Sequence, residues 1–224
     1  KLFHSSSVWD KMATNNHYDE DTKAPLDQLL NLIRQRESPD AQVKLSTVLD
    51  MEAWGRFSAF EALAHTKHYS KSHNWRLYYD PWRRKMIPIA WDPAGWMWRP
   101  RTGNRTIVTI INSDLHHALF LNGDFIRARN QALTDFFERK EDQEFLASVD
   151  QTISQMATEI QTDPFLRPGD PDIVIRAMRN LQNRIKEVFS DIRKELSDRR
   201  NATARYQYQN GVLKIAVNGR PMVQ

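Results

Sequence analysis

The chain has 224 residues, of which 40% are apolar and 27% charged, and its mean hydropathy is -0.67. It is long enough to bury a core without covalent staples, and its composition is that of a folded chain rather than a disordered one. Cysteine is absent, which excludes disulfides and thiolate metal centres, and no apolar run reaches the roughly 18 residues of a membrane span. Lys and Arg number 32 against 28 Asp and Glu, a formal charge of +4. That excess is small and spread out, whereas nucleic-acid binders concentrate basic charge on one face, so a nucleic-acid partner is not expected.

The chain opens on Lys1, with no charged-then-apolar leader, and reads as a processed piece or as part of something longer. Residues 1–24 are polar and irregular. After Pro25, the spacing of Leu26, Leu29, Leu30 and Ile33 predicts a short helix, broken by Ser38-Pro39-Asp40. A second helix is predicted over 45–65, where Leu49, Trp54, Phe57, Phe60 and Leu63 mark a broad apolar stripe. Asp50 is placed to cap its start.

The period changes near Asn74. Trp75, Leu77 and Tyr79 alternate with more polar neighbours, as a strand does, and Met86, Ile87, Ile89 and Trp91 form a second apolar run. A turn of about six residues at Asp80-Pro81 makes a β-hairpin. Residues 96–106, rich in Trp, Arg, Pro and Gly, read as a loop. Helices resume at Leu115, with Asn122-Gly123-Asp124 as an interruption and Asp124 as a cap. A Pro/Gly break spans 163–171. Val174, Met178, Leu181, Ile185, Val188 and Ile192 then predict one long amphipathic helix ending near Arg200, packed on the chain's own core. Turn pairs Asn210-Gly211 and Asn218-Gly219 mark a small C-terminal β-unit.

Chemistry-bearing residues concentrate between His65 and Trp98. Five of the seven tryptophans and three of the seven histidines, His65, His68 and His73, fall there. Trp75 and Trp91 are expected in the core, with Trp82, Trp96 and Trp98 covering loop surface beside Arg stems. His65-x-x-His68 on one helix, with His73, is a loose candidate for a metal site, but no carboxylate completes a zinc pattern.

The run His73-Asn74-Trp75-Arg76-Leu77-Tyr78-Tyr79-Asp80, followed by Ile87-Pro88-Ile89-Ala90-Trp91-Asp92, resembles the signature of the CotH kinase family, an atypical protein-kinase-like group of spore-coat, secreted and surface proteins. The helix over 49–64 and the element Asn122-Gly123-Asp124-Phe125-Ile126-Arg127 resemble its flanks. The resemblance implies an α+β, mostly helical fold, the C-terminal lobe of a kinase-like domain over 1–200, with a short β tail or the start of a following module over 201–224. It implies ATP- and Mg²⁺-dependent phosphorylation of protein Ser/Thr, with Asp92 and Asn74 as metal and nucleotide ligands. Phosphoryl transfer needs divalent metal to neutralise spread phosphate charge, and Mg²⁺ takes oxygen ligands. It also implies a secreted, spore-coat or cell-surface location.

A kinase-like catalytic loop carries an Asp four or five residues before the metal-binding Asn, to accept the substrate hydroxyl's proton. Here those positions are Ser70 and Tyr69, and His68 and His73 are the nearby groups able to take a proton. The phosphate-gripping Lys would belong to an N-terminal lobe preceding Lys1. The alternative function is a non-catalytic surface or coat protein of the same fold, acting through a protein partner.

Overall fold

The computed structural model describes residues 1–12, 23–96, 108–200, 203–209 and 211–218. The fold is α+β and mostly helical, as expected. Two short 3-10 turns, Leu2–His4 and Ser6–Val8, precede α1 (Ala24–Arg34), α2 (Pro39–Val48) and α3 (Met51–Leu63). The hairpin β1 (Leu77–Asp80) and β2 (Lys85–Pro88) follows, then α4 (Asp114–Phe120), α5 (Gly123–Glu138), α6 (Glu141–Thr162) and α7 (Asp170–Arg200). A second hairpin, β3 (Thr203–Gln209) and β4 (Val212–Asn218), closes the described chain. Both sheets are two-stranded and antiparallel.

Helix α3 is the central element. Met51, Trp54, Phe57, Ala59 and Ala62 are buried on several of its faces, as in a helix surrounded by others rather than lying on a surface. One side contributes to a core shared with α1, α2, α4, Phe3, Tyr69, Trp75 and Met86. The other joins a second cluster made with Leu133 and Phe137 of α5 and Ile185, Val188, Phe189, Ile192 and Leu196 of α7. Gly55 permits the close α3–α5 crossing, because a Cβ there would lie 2.6 Å from the Cβ of Ala128 and from the Arg129 amide nitrogen.

Four sequence expectations need correction. The helix expected over 45–65 is two helices. Leu49 is extended, forms a parallel bridge to Met86 and so interrupts the helical ladder, while Asp50 restarts it by accepting from the Ala53 N–H at 3.1 Å. Ser38-Pro39-Asp40 ends α1 as predicted, but it also opens α2, with Pro39 in the first turn, where a missing N–H costs nothing. The cap of α5 is Asn122, whose Oδ1 accepts from Asp124 and Phe125, and Asp124 sits in the first turn. Residues 1–12 are not merely irregular: Phe3 is buried against Trp75, and the Trp9 indole N–H donates to the Leu2 carbonyl.

The long helix over 170–200 forms as predicted and packs antiparallel to α6 across the 163–169 break. Polar ties link the pair at Arg193–Asp142, Arg179–Asp150 and Gln182–Asp150. In β3–β4, the cross-strand pairs Tyr206↔Ile215 and Tyr208↔Leu213 share one face, and all four residues are exposed.

Candidate functional site

The β1–β2 hairpin is fastened to the α2–α3 junction. The Met86 carbonyl accepts from the Asp50 N–H at 3.2 Å and from the Trp54 indole N–H at 3.0 Å. The Lys85 ammonium donates to the carbonyls of Ser46 and Leu49, and Arg83 pairs with Asp50 at 2.6 Å. Burial by itself would raise the Asp50 pKa. The Ala53 N–H and the Arg83 guanidinium, with a smaller contribution from Lys85, outweigh that and hold it below the ordinary carboxylate value.

The segments on either side of the hairpin are tied to the end of α3. Trp96 donates its backbone N–H to the Ala64 carbonyl at 2.7 Å and its indole N–H to Leu63 at 2.9 Å. The Thr66 hydroxyl donates to the Pro93 carbonyl. Tyr69 is fully buried, and its hydroxyl oxygen accepts from the Trp91 N–H at 3.1 Å. Trp75 lies in the core with its indole N–H on the Ser70 carbonyl at 2.6 Å. These anchors bring the start of one strand segment beside the end of the other.

Asn74 and Asp92, eighteen residues apart, meet there. The Asn74 amide lies 3.3 Å from both the main-chain oxygen and Oδ2 of Asp92, and 2.6 Å from His68 Nδ1. His68 Nδ1 is itself 2.7 Å from the Asp92 main-chain oxygen and 3.5 Å from Oδ2. The Asp92 side chain is 56% exposed, so the cluster opens to solvent. His73 stands edge-on to His68 at 5.0 Å and shares its Nδ1 with the hydroxyls of Ser70 and Ser72. All four sequence candidates, His68, His73, Asn74 and Asp92, thus fall in one place.

The backbone here is unusual. Six of the seven non-glycine residues with positive φ among the described residues lie between 65 and 96: His65, Asn74, Arg84, Asp92, Ala94 and Trp96. Asn and Asp tolerate the left-handed region, but Ala and Trp do so poorly. Each such residue costs on the order of 1–3 kcal/mol, and such costs collect where the surrounding structure fixes a functional geometry.

The polar contacts of the cluster cannot all be satisfied by its own hydrogens. The Asp92 carbonyl only accepts, so His68 Nδ1 must carry a hydrogen. An Asn74 NH₂ group 2.6 Å from that N–H sets donor against donor. Turning the amide by 180° places Oδ1 there and satisfies the imidazole. It then leaves Oδ1 facing two Asp92 oxygens, acceptor against acceptors, at 3.3 Å. With the amide turned this way, a hard cation held between them would resolve such a meeting of oxygens. Asn74 and Asp92 therefore fit a divalent ion by donor chemistry.

Other expectations come out differently. Helix α3 ends at Leu63 and His65 is a buried left-handed residue, so His65 and His68 do not share a helical face as a metal pair. Among the described residues, no three His, Asp or Glu side chains are grouped to hold a metal. Trp91 is not core but 48% exposed, with the Arg76 guanidinium 3.6 Å above its ring. Trp82 is exposed as expected, Trp96 is half-buried against Phe145, and Trp98 lies outside the described residues.

One buried pair had no sequence signal. Glu61 of α3 and His116 of α4, fifty-five residues apart, meet at 3.1 Å with side chains 2% and 1% exposed. The Asn112 N–H donates to His116 Nδ1 at 3.3 Å, and the Ser113 hydroxyl lies 3.0 Å from that atom. Nε2 therefore carries the hydrogen given to the carboxylate. The imidazole packs 5.1 Å from Trp75, which follows Asn74 in the chain.

No family model matches the chain, and no curated protein or solved structure matches it either.

Proposed function

We propose that Asn74 and Asp92 hold the Mg²⁺ of a bound ATP and that the chain is the C-lobe portion of a CotH-type, kinase-like phosphotransferase acting on protein Ser/Thr. The observation that carries this reading is the approach of the Asn74 amide to Asp92 Oδ2 at 3.3 Å, with both residues in left-handed backbone. Mg²⁺ bound there would neutralise phosphate charge and orient the transferred group. Asp92 supplies the carboxylate, Asn74 supplies Oδ1 once its amide has turned, and His68, donating through Nδ1, keeps both in place. His73 is exposed, and it is the group in the cluster best placed to take a proton from a substrate hydroxyl.

Mg²⁺ sites of this kind borrow phosphate oxygens to complete their shell. Metal and nucleotide should therefore bind together. Titrating Mn²⁺ into the chain by electron paramagnetic resonance, with and without ATP, tests this. ATP should tighten Mn²⁺ binding in the parent and leave it unchanged in Asp92→Ala. Equal ATP-dependent tightening in both proteins refutes the assignment.

A second reading, a non-catalytic surface or coat protein of the same fold, is favoured by Tyr69. This residue stands five before Asn74, where a catalytic Asp is expected, yet it is buried with its hydroxyl committed to Trp91. Burial first, then the negative charges of Glu61 and Asp92, push its pKa above the usual tyrosine value, against the opposing Trp91 N–H. It is no base. Loss of metal–nucleotide coupling in the parent protein would leave this second reading standing.

A further inference from the structure

Among the described residues, no strand pairs with the edge of β1 remote from β2. The Ile89 N–H donates to the Arg76 carbonyl at 2.9 Å, which makes Arg76–Ile89 a hydrogen-bonded pair of the antiparallel ladder. Alternation then places ladder bonds at Tyr78↔Ile87 and Asp80↔Lys85, and turns the N–H and C=O groups of Leu77 and Tyr79 away from β2. Two features of β2 agree with this phase. Pro88, opposite Leu77, has no N–H to give, and the Met86 carbonyl, opposite Tyr79, faces outward to Asp50 and Trp54. On the β1 side, the corresponding groups of Leu77 and Tyr79 have no partner among the described residues.

The side chains along this edge are basic and aromatic. Leu77 and Tyr79 point inward and pack on the core. Arg76 and Tyr78 point outward, and both are exposed. Trp82, 95% exposed, and Arg84 project from the turn. Arg83 and Lys85 are used internally, but Arg84 has no ion pair among the described residues, and Arg76 has only its stack on Trp91. Between residues 66 and 93 there are six Lys and Arg against two Asp. One of those two, Asp80, is occupied with the N–H groups of its own turn.

We propose that this edge takes an extended, acidic peptide segment of a partner protein as a third strand. Main-chain bonds to Leu77 and Tyr79 supply the pairing, and alternate carboxylates of the segment meet Arg76 and Arg84. The strand is four residues long, too short to template aggregation and long enough to seat a short segment. Binding here needs no nucleotide, so it stands or falls separately from the metal site.

The test uses a fluorescein-labelled octapeptide of alternating glutamate and valine and reads anisotropy on the full chain. Two further versions carry N-methyl groups on alternate residues, one in each frame, so that each removes the donors of one edge only. A lysine–valine octapeptide and an eight-nucleotide oligothymidylate complete the set. The acidic peptide should bind. One N-methylated frame should lose about tenfold, from the loss of two hydrogen bonds, while the other keeps its affinity. Arg76→Glu/Arg84→Glu, at two exposed positions that leave the core untouched, should weaken the acidic peptide by about fivefold or more. Equal binding by both methylated frames overturns strand addition. Equal binding by the lysine peptide, or by the double variant, overturns the acidic class, and tighter binding of the oligothymidylate overturns the peptide.

Discussion

Separating the buried Glu61–His116 pair should cost far more than removing it whole. Both side chains are almost fully out of water. Each lies within hydrogen-bonding distance of the other, and the imidazole is held from its far side by Asn112 and Ser113. His116→Leu leaves a buried carboxylate facing hydrocarbon, a loss of about 3–5 kcal/mol for a stranded buried charge. Glu61→Met keeps similar volume and strands only the Nε2–H, a loss of about 1–3 kcal/mol. The double variant replaces the pair with apolar groups of like size. It should lose only about 1–2 kcal/mol, mostly through the Asn112 N–H that no longer finds Nδ1. The coupling energy from a urea-unfolding cycle should therefore reach at least about 2 kcal/mol, with the double variant more stable than His116→Leu. Additive losses, or a double variant weaker than either single one, would show that the pair contributes through packing and not through mutual compensation of buried polarity.

Three other outcomes follow from named contacts. Asp92→Ala should remove ATP-dependent Mn²⁺ binding while leaving the thermal midpoint within a few degrees of the parent, because the side chain is more than half exposed. Gly55→Ala should destabilise by about 1–3 kcal/mol in urea, since the added methyl meets Ala128 and the Arg129 backbone at 2.6 Å; an unchanged midpoint would mean the helices separate at no cost. The depressed Asp50 pKa makes its contribution complete above the unfolded value near 4 and lost as pH falls through the folded value. Asp50→Asn, which can still cap α3 but cannot hold Arg83 ionically, should therefore be less stable than the parent at pH 7 and equal to it near pH 2, and an equal deficit at both pH values would exclude an ionic origin.

The sequence pattern carried the elements whose apolar residues have one simple address. The long helix α7 repeats its apolar positions over about five turns, and the β1–β2 hairpin alternates and is marked by Asp80-Pro81, so both were legible. The break at Leu49-Asp50 was not, because it depends on a bridge to Met86, thirty-seven residues away, that no local periodicity encodes. Trp91 was misplaced for a related reason: strand alternation says which face a side chain takes, but not whether that face is covered, and here the ring stays half exposed with Arg76 stacked on it. At the site, it was the resemblance of the 73–80 and 87–92 runs to a family signature, and not periodicity or spacing, that singled out Asn74 and Asp92, with His68 and His73 as the nearby groups able to take a proton. The left-handed backbone that aims them, and the Glu61–His116 pair beneath Trp75, are products of tertiary packing and leave no local trace.

The two longest helices are held unequally along their length. Every fully packed apolar residue of α7 lies between Ile185 and Leu196, and the polar ties to α6 reach no nearer the connecting turn than Arg179 and Ser154. Beyond that point the pair runs out to the 163–169 turn, with Phe165, Ile173 and Val174 in solvent. Amide exchange should therefore grade along α7, fastest in its first turns and slowest near Val188, so that the outer end opens and recloses as a small local event while the base stays shut. A protease that nicks the turn would meet little resistance from the distal segment, yet the two halves should remain associated through their inner ends.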